Sequence, residues 1–329
     1  MRRQIFIRTL CATLFGCAAL MPLISGAQAF SQGKPVRVIV PFAAAGANDL
    51  IARALQKPLG EALGTTVIVE NRPGGSTKIA TMGLIRAEPD GHTLLLLGHV
   101  ALMSYYYSGA YDSKVWEQMT ILGQTGQMAW GMLEARADAP FKSWAELESY
   151  AKKNPGKISA GGPAVGGMMN LIVLDTAEAA GIDVTYVPYA GGGPSGAALL
   201  GGHVNYRVAQ PPEVYPNVKA GVTRGLAVAF PTRLPEMPDV PTLKELGIMA
   251  EVPVFGFDFW GPPNMPPELA AKISKAIEVA LKDPEYIEVA RRLTYQPNFV
   301  GPDELRKSIR NFEISVGPRL EKAFPRKAE

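Results

Sequence analysis

Apolar positions along this chain alternate between short unbroken runs and longer stretches of helical period. Val36 to Val40 is an apolar, β-branched run bounded by Pro41 and predicts a buried strand. A turn centred on Gly46 follows, and the positions after Asn48, from Leu50 to Leu55, predict a helix. The order repeats with Thr65 to Val69 as strand, the turn-rich Glu70 to Thr77 as loop and a helix to about Ala87. Pro89-Asp90-Gly91 then turns into His92 to Leu97, a run apolar enough for a sheet interior. This β-α-β-α-β order with short loops predicts a parallel sheet with helices on its faces. Tyr105, Tyr106 and Tyr107 fill a core or line a pocket; spacing does not separate the two.

From Thr120 to Ala135 the pattern weakens, with glycines at 123, 126 and 131, and a crossing to a second lobe is placed there. Ser143 and Glu146 have the spacing of a capping box, predicting a helix from Trp144 to Asn154-Pro155-Gly156. Strand Lys157 to Ala160 then enters the loop Gly161 to Gly167, and a helix follows from Met168 to Ala180, closed by Gly181. Strand Val184 to Tyr189 enters the loop Ala190 to Ser195, with Ser195 read as a helix cap, and a short helix ends at Gly201-Gly202. Val204 to Ala209, a helix to Ala220, strand Leu226 to Ala229 and a second capping-box pattern at Thr242 and Glu245 complete this half. The aromatic run Val252 to Trp260 reads as a return crossing, and three helices remain. The first aligns Leu269, Ile273, Ala276, Ile277 and Ala280, the second begins at Pro284, and the third aligns Leu305, Ile309, Phe312, Val316 and Leu320. The predicted organisation is a first lobe of residues 30–124 and 252–300, a second lobe of 125–251, and a C-terminal helix, 301–329, of open assignment.

A single strand-loop-helix turn at Gly46 is explained by a plain βα connection capped by Asn48 or Asp49. Its recurrence in both halves changes the reading. First-turn amides lack intrahelical partners and sit at the positive end of the helix dipole, so loops of this kind suit a carboxylate or phosphate. Such loops gather at the carboxyl ends of strands in open α/β sheets. Two facing lobes would therefore form a cleft lined by amide donors. The candidate contacts are Phe42, Ala43, Gly46, Ala47 and Asn48, with His99 at a following strand end, from the first lobe. From the second they are Gly162, Gly166, Gly167, Asn170, Tyr189, Gly191 and Gln210. For His99 and Tyr189, packing is the competing reading. Gly123, Gly126, Gly131 and Gly256 are candidates to absorb a hinge rotation, with close strand packing as the duller explanation.

Composition narrows the chemistry. A basic start with Arg2, Arg3 and Arg8, an apolar stretch from Thr9 to Ile24 and Ala27-Gln28-Ala29 together form a secretory signal, so the mature protein begins at Phe30 and is periplasmic. Leu14 to Cys17 loosely matches a lipoprotein box, which would instead tether the protein at Cys17. Those three arginines carry the whole formal charge of +3, since no Asp or Glu precedes Phe30. A neutral mature chain offers no global argument for nucleic acid. Both cysteines, Cys11 and Cys17, lie in the leader, which leaves no disulfide or thiolate chemistry. His92, His99 and His203 show no metal-ligand spacing, Gly193 to Ala197 misses the nucleophile elbow, and Gly74 to Lys78 lacks P-loop spacing. No metal or cofactor is expected. A solute receptor fits best; an exported hydrolase using the same cleft and a sensory ligand-binding protein are the alternatives.

Several segments together resemble the extracytoplasmic receptors of tripartite tricarboxylate transporters, the Bug-type periplasmic binding proteins. They are Pro41-Phe42 with Gly46 and Asp49, Glu70 to Gly74, Pro89 to Leu94, Val187 to Tyr189, Leu226 to Val228, and Pro238 to Thr242 with Glu245 and Gly247. The resemblance spans the mature chain. It implies a periplasmic-binding-protein type II (Venus-flytrap) fold, α/β, with two lobes that are each a mostly parallel sheet flanked by helices. It further implies a monomer that is not an enzyme, closes on a small carboxylated compound and delivers it to membrane transporter subunits. In such receptors loop amides and water hold the carboxylate without a matching basic side chain. This chain departs from the family at Ala45 and Thr77, where glycines are usual, at Gly167 and Asn170, where a serine and a histidine are common, and at Asn205, where an acid is common. The changes at Gly167 and Asn170 imply a bulkier or less polar ligand.

Overall fold

The computed structural model describes residues 33–163, 165–249 and 255–325. The segment read as a secretory leader, Cys17 within it, and the start of the expected return crossing at Val252 lie outside the described residues. The apolar run that opens the chain is β1 (Val36–Val40), buried at every position except Arg37 because helices cover both faces of its sheet. It leads through α1 (Ala47–Leu63), β2 (Val67–Asn71), α2 (Lys78–Ile85), β3 (Thr93–Leu96) and α3 (His99–Tyr107) to β4 (Thr120–Gln127). The second unit comprises β5 (Met132–Arg136), α4 (Trp144–Lys153), β6 (Ile158–Gly162), α5 (Met168–Ala180), β7 (Val184–Pro188), α6 (Gly192–Leu200), β8 (Tyr206–Ala209), α7 (Pro211–Lys219) and β9 (Thr223–Val228). The chain then returns with β10 (Asp258–Gly261), α8 (Pro267–Ala280), α9 (Pro284–Arg292), β11 (Gln296–Val300) and α10 (Pro302–Ala323).

Two sheets result, ordered β11-β4-β10-β3-β1-β2 and β7-β6-β8-β5-β9. In the first, β1 pairs in parallel with β2 and β3, while β10 is antiparallel to both its neighbours and β11 to β4. In the second, β6 is parallel to β7 and β8, and β5 is antiparallel to β8 and β9. β5 and β10 run against their neighbours because each enters its sheet from the opposite lobe. The two crossings lie side by side: the Met128 amide donates to the Phe255 carbonyl at 2.8 Å, and the Thr125 amide to Phe257 at 2.9 Å. At this junction a side chain on Gly256 would meet the Gly126 carbonyl at 2.3 Å, so both glycines serve the close approach of two backbones.

Several local expectations need correcting. His99 to Tyr107 is a helix rather than a strand end followed by filler, and β11 is a strand that its polar sequence did not suggest. Gly161 and Gly162 belong to β6 rather than to the loop, and Gly192 and Gly193 to α6. Ser195 is not a cap; it lies inside α6, where its hydroxyl donates to the Gly192 carbonyl at 3.0 Å. At α4, Ser143 accepts the Glu146 amide as expected, but the glutamate side chain returns to the Lys142 amide at 2.7 Å. At Thr242 and Glu245 both bonds of the box form, on a turn rather than a helix. The apolar stripes of α8 and α10 are buried as their spacing predicts. α10 lies on α3 and β4 and touches α5, where Arg319 pairs with Asp175 of the second lobe.

Candidate functional site

A cavity of about 180 Å³ lies between the lobes at the carboxyl ends of β1, β3, β6, β7 and β8. Its first-lobe wall is Phe42 to Asn48 with Leu97, Ala101 and Tyr105. The second-lobe wall is Pro163, Gly167 to Met169, Ala190 to Pro194, Gln210 and Glu213. Trp130 and Phe255, from the two crossings, form the back with ring centroids 5.0 Å apart. The N-cap residues of four helices line the space: Gly46 of α1, Gly167 of α5, Gly191 of α6 and Gln210 of α7. None of the four makes a side-chain cap hydrogen bond; the first-turn amides of α1, α5 and α6 face a common volume, whereas α7 opens on Pro211 and Pro212, which have no N–H to offer. No Lys, Arg or His stands among the described residues that line it, and Glu213 is the single carboxyl group among them.

The first-lobe loop is held from behind. Asp49, buried at the third position of α1, accepts the Ala45 amide at 2.9 Å and the Arg53 guanidinium at 3.0 Å. Asn71 donates to its other oxygen at 3.0 Å and to the Phe42 carbonyl at 3.1 Å. Burial pushes the Asp49 carboxyl upward, but the hydrogen bonds from Arg53, Ala45 and Asn71 together hold it below the ordinary carboxylate value. Ala45 sits at φ 65°, in the left-handed region that usually takes glycine.

The second lobe uses the same geometry with a neutral side chain. Gly166 has φ 84°, Gly167 caps α5, and Asn170 at the third position accepts the Gly166 amide at 3.2 Å. Gly166 also abuts the first lobe: a side chain there would meet the Ser108 Cβ at 2.2 Å. Behind α6 and α7 lies a buried ion pair, in which Arg207 donates to Glu134 at 2.5 Å and Thr223 donates to the other Glu134 oxygen at 2.6 Å. The same guanidinium reaches the Gly192 carbonyl at 2.8 Å and the Glu213 carbonyl at 3.1 Å, so it sets the position of both helix starts. The Glu213 carboxyl group lies against Gly192, with the backbones of Ala47, across the cavity, and of Gln210 near enough to favour its charged form. Burial raises its pKa despite nearby Arg207.

Of the residues expected from sequence, Phe42, Ala43, Gly46, Ala47, Asn48, Gly167, Gly191 and Gln210 line the cavity. His99, Gly162, Gly166, Asn170 and Tyr189 do not. His99 is buried with its ring Nδ1 2.8 Å from the Asp258 carboxylate, which also takes the Gln124 amide at 2.8 Å; it satisfies a fully buried acid. Asn170 and Gly166 shape the loop, as described. Gly162 lies under the Tyr186 ring, and Tyr189 packs beside Gly161. Asn205 accepts the Ser159 amide and hydroxyl, away from the cavity. Asn48 does line it, and its side chain donates to the Leu96 carbonyl at 3.3 Å.

Tyr105, read from sequence as core filler or pocket wall, lines the cavity, and Ala101 stands one turn before it on the same face of α3. Sequence reading missed Ala101 and Leu97, which follows β3 directly. Met168 and Met169 follow from Gly167 as the first-turn positions of α5. Glu213 and Trp130 carried no local signal.

The chain matches the Tripartite tricarboxylate transporter family receptor over residues 51–313. A UPF0065 protein from the gbd 5′ region of Cupriavidus necator is 32% identical over 290 residues, covering 87% of this chain and 86% of that relative. Among solved structures, the periplasmic binding protein BugD is similar with a TM-score of 0.80 and 28% identity, over 88% of this chain and 97% of BugD. MatC of Rhodopseudomonas palustris with bound malate gives 0.78 and 26%, over 88% and 98%.

Proposed function

Since the chain belongs to the tripartite tricarboxylate transporter receptor family, whose members bind solutes rather than catalyse reactions, we propose that it captures a small carboxylated compound between its lobes and delivers it to a membrane transporter of that type. The observation that carries the reading is the interlobe cavity, where three helix N-termini with open amides, those of α1, α5 and α6, converge without a basic side chain among the described lining residues. Amide groups at helix starts hold an anion by hydrogen bonds and dipole alone. The malate in the MatC neighbour supports the ligand class. Export with cleavage after Ala29 and a monomeric mature protein complete the proposal. The first lobe is taken as residues 30–124 and 252–300 and the second as 125–251, with the end of β4, to Gln127, still paired in the first sheet. The packing of α10 on α3 and β4 supports counting residues 301–329 with the first lobe.

A thermal-shift screen of the mature protein against mono-, di- and tricarboxylates tests capture, because a ligand that binds only the native state raises the midpoint. Small-angle scattering with the best hit tests closure, since binding energy favours a closed state only through contacts made there. No midpoint increase across the screen counts against capture. An unchanged radius leaves binding in place and removes the closure mechanism. Uptake of the bound compound by vesicles carrying the cognate membrane subunits separates delivery from sensing.

A further inference from the structure

We infer that Glu213 sets ligand class by favouring a compound that pairs one carboxylate with an N–H donor, an amide or an ammonium, over dicarboxylates of the same length. The inference rests on the cavity being the carboxylate site proposed above.

Charge accounting at the cavity leads to it. Arg207 and Glu134 lie behind the wall as a mutually neutralised pair, and the remaining guanidinium donors are committed to the carbonyls of Gly192 and Glu213. Neither residue lines the cavity, and no basic side chain does. Glu213 is therefore the one carboxyl group among the described residues at the surface a ligand touches. Its carboxyl group lies against Gly192 at the start of α6 and lines the cavity, so it stands where a ligand meets the second-lobe loop. A second ligand carboxylate seated at the Glu213 end of this cavity lies against its carboxyl group, in a site largely walled by Phe42, Leu97, Met168, Met169 and Phe255. Like charges at that separation repel strongly where water is excluded. An amide or ammonium in the same place donates to a carboxyl oxygen with lone pairs to accept it. The first ligand carboxylate has other partners: the first-turn amides of α1, α5 and α6.

Isothermal titration of the mature protein with unbranched α,ω-dicarboxylates of four to six carbons, and with their monoamides, tests this at pH 7. Wild-type protein should bind the best monoamide about tenfold more tightly than its parent dicarboxylate. Glu213→Gln should remove most of that preference, chiefly by tightening the dicarboxylate, because the glutamine carbonyl still accepts the amide. Glu213→Ser, read alongside far-UV circular dichroism, guards against a folding effect and should shift the ratio the same way. A wild-type preference for the dicarboxylate, or a ratio unchanged in both variants, overturns the role of Glu213 while leaving the carboxylate site standing. Binding of neither series to any of the three proteins overturns the carboxylate-site reading and this inference with it.

Discussion

The loops Ala45 to Asp49 and Gly166 to Asn170 are the same device built twice with different chemistry. In each, a residue of positive φ precedes a glycine N-cap with φ near −80°, and the side chain at the third helical position accepts the amide of the positive-φ residue. The first lobe uses a carboxylate, which Arg53 and Asn71 must support; the second uses a neutral amide with no such retinue in its hydrogen bonds. The outcome is a loop amide satisfied from behind and first-turn amides directed forward. The second lobe instead places its buried charge one layer back, in Arg207 and Glu134, where it fixes α6 and α7. The contrast teaches that rigidity of an amide-lined site can come from a charged support at the loop or from a charged strut beneath it.

The largest effect should come from the strut. Arg207→Met leaves Glu134 buried without its partner and should cost about 3–5 kcal/mol of stability in urea unfolding, whereas the double change Arg207→Met, Glu134→Leu should recover much of it. A double variant as unstable as the single one would show that packing, not charge, matters there. Next is ligand contact. Gly46→Val has room in the protein itself, since a side chain would lie 3.6 Å from the Ala43 carbonyl, but should obstruct a ligand and weaken binding about a hundredfold, equivalent to about 3 kcal/mol. Wild-type affinity by titration calorimetry would remove the first loop from the site.

The loop supports themselves can be compared directly. Asp49→Ala should destabilise by about 2–3 kcal/mol and Asn170→Ala by about 1, because the first strips hydrogen bonds from a charged acceptor and the second removes one neutral bond. Equal losses in denaturant unfolding would mean that the charge at Asp49 adds nothing.

Acid titration separates two further carboxyls by sign. Asp49 is held below its ordinary 3.8, so its contribution is present above that value and disappears as pH falls through the lowered one. Asp175 is pushed by burial up to about 6, with Arg319 opposing the shift. Its native form holds the proton more tightly, so its favourable contribution is full below about pH 4 and is lost as pH rises through about 6. Asp175→Asn should flatten the limb between those values by about 1–2 kcal/mol, read as the change in unfolding free energy with pH. An unaltered limb would assign it to another group. The smallest effect is expected at Ala45→Gly, which relieves the left-handed strain at a cost in unfolded-state entropy and should stabilise by about 0.5 kcal/mol.

Much of this molecule is written locally. The apolar runs that became β1 and β3, the stripes of α8 and α10, and the stop of α5 at Gly181 each depend on neighbours within a few turns, which is why spacing alone locates them. Glycine-rich strand-to-helix loops likewise announced both walls of the cavity, since a backbone that must turn into a helix with its amides open needs small residues nearby. Tertiary structure decided what those signals could not carry. Whether His99 and Asn170 face a ligand or a backbone partner depends on Asp258, distant in sequence, and on how the Gly166 loop folds back. Placing β11 as an edge strand required β4 to offer its open hydrogen bonds, because Gln296 to Val300 has no alternating pattern of its own. Glu213 shows the division most sharply. Its position three residues after Gln210 reads as an ordinary acid in a helix first turn, and only the meeting of two lobes makes it the one carboxyl group among the described residues that line the cavity.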